Sequence, residues 1–419
     1  MNESVAMIAL SQSTLFFLKV IKQYLVSRGK DCSAPEFASE ANWEEILRIA
    51  IHNNSESFIY HTIWRWGANY GVDPTVLRTC KNRMLFSAVT QLRADAELKE
   101  VLAALNAADV KYLLLKGVIL ANLYPDPPYR RSSDADIHVS EDHFGRAAEV
   151  LTKRGYIYYP NDNVKYEKTY RLEGILTIEL HTRLFENFYE KNRMAVAAVG
   201  LESPSSRREI RILDTLTETF APNHFLIYVI CHHTKHFITT GITLRYLMDI
   251  CVYINEYNEQ LNWEFIISAL ERFGIQDFTL HLLYICQYYL GMADLSFLYH
   301  DIEEEVIDML LYDIVERNSM ENGELLRVSA QPIVRDVYFS DKKQGKTNTI
   351  KVSFLPRAKS LSQKYSYVKK HPVLLPIAWV HRAFSYLWRK MKGNKIISPT
   401  ERAKLAKERI DLLKRVRIL

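Results

Sequence analysis

The sequence predicts an α+β protein, in which a small mixed-sheet core is flanked by helical amino- and carboxy-terminal regions. Three observations predict it. Apolar residues recur at helical spacing up to about residue 105 and again beyond Pro222. Short period-two segments, the mark of strands, are confined to the stretch between them. The stretch is also punctuated by Pro and Gly at the places where such segments change direction, as in PDPP and Glu173-Gly174.

In chain order, FFLKVIKQYL, NWEEILRIAIHNN and ESFIYHTIWRWG read as helices, followed by a long amphipathic run over residues 82–108. Residues 112–115 form a short apolar strand that ends at Lys116-Gly117 and feeds a helix stopped by PDPP. Residues 136–139 make a second strand, which begins at or near Asp134, and residues 141–155 a helix closed by Gly155. Residues 166–172 and 175–184 alternate about Glu173-Gly174 as a hairpin, and residues 207–213 read as one more strand. The expected divisions are 1–105, 106–214, 215–330 and a basic tail, 331–419.

Composition narrows the class. The chain has 419 residues, 48% hydrophobic and 25% charged, which excludes a disordered chain. Five cysteines lie far apart without a CxxC pair, against a disulfide framework or zinc knuckle and in favour of a reducing cytoplasm. The first residues lack the basic start of a signal peptide. No run reaches the ~18 apolar residues of a membrane span, so no integral membrane segment is expected. Residues 357–419 hold seventeen Lys and Arg against three acids, a local +14, so the chain's net +5 leaves −9 for residues 1–356. The acidic body argues against a broad nucleic-acid-binding face. Residues 372–388, PVLLPIAWVHRAFSYLW, are too short to span a bilayer. They read as a helix docked on the bundle, with a peripheral, membrane-associated position at anionic lipid as the alternative.

Two acids two residues apart at a strand start, Asp134 and Asp136, project from one face and repel each other. A divalent cation relieves that repulsion, and hard carboxylate oxygens suit Mg²⁺ shared with phosphate. Glu179 stands inside the apolar strand ILTIELH, where a charge has no structural reason to be, with His181 on the same face. Lys116-Gly117 lies at a strand-to-helix turn open to phosphate, and Arg130, Arg131 and Ser133 come just before the acids.

The order KGxxLAxxY, Pro-rich turn, Arg, DxD with an apolar strand, Gly155-Tyr156 and Glu179-Leu-His181 resembles an uncharacterised nucleotidyltransferase family of the polymerase β superfamily. It is more distantly similar to AbiEii-type toxin nucleotidyltransferases. The resemblance spans roughly residues 95–255. It implies a nucleotidyltransferase core in the 106–214 segment, with Asp134, Asp136 and Glu179 as ligands of two Mg²⁺ ions, or Mn²⁺ in their place. It implies Lys116, Gly117 and Arg130 as contacts to an NTP substrate, ATP included, with Ser133 beside them. His181 would support the acids. The segments His232-His233-Thr-Lys-His236 and Arg245-x-x-x-Asp249 extend the likeness and make His233 and His236 nucleotide-contact candidates, while Arg245 and Asp249 are expected to pair with each other at i, i+4. The acceptor is expected to be a hydroxyl on a protein, RNA, small molecule or envelope precursor. The competing readings are a DxD glycosyltransferase and a non-catalytic nucleotide-binding or interaction module.

Overall fold

The computed structural model describes residues 10–30, 34, 38–132, 134–160, 166–299, 302–319, 323–339, 355, 361, 363–365, 367–392 and 397–419. Four helices lead in: α1 (Gln12–Val26), α2 (Trp43–His52), α3 (Glu56–Ile63) and α4 (Pro74–Ala107). The last begins eight residues before the periodic run expected at Asn82. Its start is fixed locally, because the Asp73 side chain accepts a hydrogen bond from the Thr75 amide and Pro74 occupies the first turn, where no amide is needed.

The α/β core follows as β1 (Tyr112–Leu114), α5 (Gly117–Ala121), β2 (Asp134–Val139), α6 (Glu141–Lys153), β3 (Ile157–Tyr159), β4 (Glu167–Leu172), β5 (Leu176–His181), α7 (Glu186–Val199), β6 (Arg207–Ile212) and β7 (Thr215–Phe220). These strands make one mixed sheet of seven, in the order β3-β4-β5-β2-β1-β7-β6. β1 is buried at all three positions and β3 exposed at all three, as expected of a central and an edge strand. The parallel pairs are β2 with β5 and β1 with β7.

The sheet ends past residue 214, since β7 pairs with β6 in a two-residue hairpin whose register runs from Ile212↔Thr215 to Arg207↔Phe220. The turn residues Leu213 and Asp214 both have positive φ, 47° and 59°, without a glycine, so the usual Asn-Gly signal is missing. The strand's alternation is also inverted: Thr217 and Thr219 point inward and Leu216 is exposed. Thr219 can face the core because its hydroxyl donates to the Leu114 carbonyl at 2.8 Å. The β4–β5 hairpin, by contrast, turns where expected, with Gly174 at φ +68°.

Beyond the sheet the chain is helical: α8 (Pro222–Thr239), α9 (Leu244–Tyr257), α10 (Trp263–Phe273), α11 (Gln276–Leu290), α12 (Glu304–Leu311) and α13 (Gly323–Phe339). One continuous apolar core joins lead-in, sheet and bundle, and the helix Pro399–Arg415 enters it through Leu405, Ile410, Leu412 and Leu413. Arg409 of that helix is buried and its guanidinium meets Asp313 at 2.6 Å. The helix Leu375–Met391 differs from the docked helix expected for the tail. Its stripe Ile377, Val380, Phe384, Trp388 and Met391 is exposed, and its buried Ala378 belongs to a small separate cluster with Leu361, Tyr365 and Val368. Cys80, Cys231, Cys251 and Cys286 are free and buried. No helix among the described residues is long and apolar enough to cross a membrane.

Candidate functional site

The centre of the sheet brings the acids together. β2 and β5 are parallel neighbours with Asp134↔Thr177, Asp136↔Glu179 and His138↔His181 in register. Side chains at paired positions project from the same face, so Asp136 and Glu179 stand side by side and His181 lies one pleat further on. Asp136, Glu179 and His181 each offer one ligand atom, and these atoms lie within 4.8 Å of one another. Two carboxylates and an imidazole are the donor chemistry of a divalent-cation site.

This grouping differs from the ligand set read from the sequence, Asp134, Asp136 and Glu179. His181, expected as support, is in the group, its Nε2 3.2 Å from Asp136 Oδ1 and 3.7 Å from Glu179 Oε2. Asp134, expected as a ligand, is on the same face but outside the group. It opens the strand, and two residues of β-structure carry it about 7 Å along from Asp136.

Lys116 completes the cluster. Leu115 donates its amide to the Asp136 carbonyl at 3.0 Å, which brings the next residue out beside the carboxylate, and Lys116 Nζ donates to Asp136 Oδ2 at 2.6 Å. The residue expected to bind phosphate thus neutralises an acid. Gly117 follows with φ +37°, a conformation that side chains resist. Space is not the constraint, since an added Cβ would come no nearer than 3.7 Å to the Asp134 carbonyl or Ser132 Oγ. The helix it starts has five residues, too short to develop much of a dipole. Any attraction for phosphate at this turn therefore rests on side-chain charge. Ser133 lies outside the described residues.

Burial opposes the charge of Asp136, but the Lys116 ammonium and the hydrogen bond from His181 outweigh it and hold the carboxyl far below the usual range. For Glu179 burial and the negative charges of Asp136 and Asp134 act together and push it up to about 7. The site therefore stores like-charge repulsion at Glu179, whereas the sequence reading expected it between Asp134 and Asp136. Burial lowers His138 to about 4. The sequence reading passed over Glu167, which pairs with His181 across β4 and β5 and has its Oε2 3.8 Å from His181 Nδ1. Its signal was present as one more acid in a strand, but its cross-strand partner was not legible without the register.

Arg130 is buried and held by α9. Its Nε and Nη2 donate to Asp249 Oδ1 and Oδ2 at 3.0 and 2.7 Å, and the Tyr124 hydroxyl donates to Oδ1 at 2.8 Å. This corrects the expected Arg245–Asp249 pair. The fork of Arg130 reaches Asp249 in bidentate geometry, whereas Arg245 donates to the Arg131 carbonyl at 3.3 Å and lies over the Tyr246 ring. Arg130 Nη1 and His233 Nδ1 are buried without a hydrogen-bond partner.

The histidines of α8 complete the surroundings. His232 and His236 rings lie 4.5 Å apart, and His233 packs edge-on to Tyr246 at 4.7 Å. Burial holds all three neutral, His233 at about 3, and the Lys116 charge acts on each of them in the same direction. Asp136 acts on His236 as well, so α8 faces the acids. A separate groove between α1 and α11, about 1450 Å³ and lined by Lys19, Lys22, Tyr284 and Tyr288 among others, contains none of these side chains.

A family model described as "Uncharacterised nucleotidyltransferase" matches residues 39–291, more than half of the chain and every element that builds the site. Similarity to AbiEii-type toxins is not shown. No curated protein and no solved structure matches the chain.

Proposed function

The chain belongs to the uncharacterised nucleotidyltransferase family, and on that premise we propose that it transfers the nucleotidyl group of an NTP to an acceptor hydroxyl with release of pyrophosphate. What supports this most is the in-register facing of Asp136 and Glu179 on adjacent parallel strands, with His181 joining them. The residues suit a divalent cation, Mg²⁺ or Mn²⁺, which Asp136, Glu179 and His181 would hold. Asp134, on that face, is the further carboxylate we assign to a second ion. Bound there, the cation supplies Lewis-acid stabilisation of the charge that develops on the phosphates.

The chain's own residues would do the rest. Asp136, 2% exposed and paired with Lys116, is fixed in place, whereas Glu179 is 26% exposed and is the carboxylate open to an acceptor. Glu179 Oε would take the proton of the attacking hydroxyl. His181 keeps the two acids at a fixed separation, and Glu167 steadies it from behind. Among the described residues, Arg130 Nη1 and, in its neutral form, His233 Nδ1 are buried donors we assign to an NTP, since their lack of partners costs stability unless a ligand supplies them. Lys116 would soften the charge of the cluster rather than grip the phosphates alone, with Gly117 allowing their approach. His236 remains a nucleotide-contact candidate by the resemblance, and Ser133 by its place just before the acids.

Family membership favours nucleotidyl over glycosyl transfer. The test is incubation of the full chain with each α-labelled NTP, Mg²⁺ and native lysate. Label is expected to move to an acceptor with the wild type and to be lost with Glu179→Gln. Undiminished labelling by Glu179→Gln and by Asp136→Asn would overturn the assignment. A thermal shift on Mg²⁺-NTP with no transfer in any lysate would instead support the non-catalytic alternative.

A further inference from the structure

We infer that the helix Leu375–Met391 is a docking surface for an anionic lipid bilayer, independent of the transfer chemistry. Ile377, Val380, Phe384, Trp388 and Met391 are 56–78% exposed. At about 100° per residue they fall within an arc of about 80°, one continuous stripe rather than scattered positions. Large apolar side chains gathered this way in water cost free energy unless something covers them.

Among the described residues, the helix is backed by a small cluster of its own tail that is separate from the main core. Ala378 packs with Leu361, Tyr365 and Val368, the Tyr365 and His381 rings are 5.2 Å apart, and Lys364 donates to Ser385 at 3.0 Å. The supporting positions His381, Ser385 and Ala378 lie on the adjoining face, and the stripe beside them is exposed.

Charge selects the occupant. Residues 357–400 contain ten Lys and Arg and no Asp or Glu. A second copy laid face to face would set ten bases against ten more. An anionic headgroup layer supplies the opposite charge and the acyl region behind it takes the stripe. Seventeen residues make a helix about 26 Å long, short of the ~30 Å hydrocarbon layer, so it lies along the surface. Trp388 suits the headgroup level, and Lys392, 4.0 Å over its ring, meets the phosphates there.

Flotation of the full chain with vesicles tests this. The wild type is expected to float with phosphatidylglycerol-containing vesicles at low salt, less at high salt, and to stay behind with phosphatidylcholine alone. Phe384→Glu with Trp388→Glu, both at exposed positions, should lower the bound fraction about tenfold or more at unchanged thermal midpoint. Failure of the wild type to float, or equal flotation of the double variant, would overturn the inference. So would a wild-type dimer in solution that the double variant dissociates, because the stripe would then belong to a second copy.

Discussion

At the scale of single residues, the acid cluster sets function against stability. Glu179 is pushed up by burial and by two like charges, so neutralising it removes repulsion from the folded state. Glu179→Gln should therefore leave the thermal midpoint unchanged or higher while lowering nucleotidyl transfer by about a hundredfold or more. Calorimetry and label transfer on the same preparation separate the two effects. Lys116→Met should behave in the opposite way. It strips Asp136 of its nearest cation and leaves a buried carboxylate uncompensated, a loss of about 3 kcal/mol or more in urea unfolding. The acids themselves were legible because a charge in an apolar strand has few structural explanations. That Lys116 would pair with one of them was not, because it depends on β1 lying beside β2.

Among elements, the contact between the loop before β2 and α9 carries the bidentate Arg130–Asp249 pair. Asp249→Ala leaves a buried guanidinium and the Tyr124 hydroxyl without their acceptor and should cost about 3–5 kcal/mol. Arg130→Met combined with Asp249→Leu should recover much of that, as read by chemical denaturation. The double variant should still lose nucleotide affinity, because Arg130 Nη1 is gone. Elements with the ordinary signals were legible: α4 from its periodicity, the β4–β5 hairpin from Glu173-Gly174, and β2 from its apolar run. β7 was not. Its inward residues are threonines, of which Thr219 donates to a carbonyl on another strand, and its turn is made by Leu213 and Asp214 at positive φ. Both facts come from pairing, which local composition does not carry.

Taken whole, the molecule is closed by its last helix. Asp313 is ringed by Arg409 of that helix, by Arg327 of α13 and by Arg317. Burial works against its charge, yet the three guanidiniums hold it at about 2. A carboxyl lowered on folding stabilises the fold above its unfolded pKa of about 4, and that contribution fades as the pH falls from about 4 to about 2. Acid unfolding should steepen in that window for the wild type, and Asp313→Asn should be less stable at neutral pH with a flatter profile there. Removing residues 397–419 should be worse. It takes away Arg409 and the buried Leu405, Ile410, Leu412 and Leu413; the four apolar side chains, at about 1.5–3 kcal/mol of burial apiece, are comparable with a typical stability of about 5–15 kcal/mol. Insolubility or loss of the cooperative transition is the expected readout.

The sequence by itself determined the α+β class and the helical flanks and singled out candidate acids, because helical and strand periods, turn residues and misplaced charges are local properties of the chain. Tertiary structure decided which acids meet, that His181 joins them while Asp134 stands apart, that Arg130 answers Asp249, and that the tail's apolar stripe faces outward. Each of these depends on strand register or helix docking between residues distant in sequence, and the physics that fixes them is packing and desolvation, felt only once the core has formed.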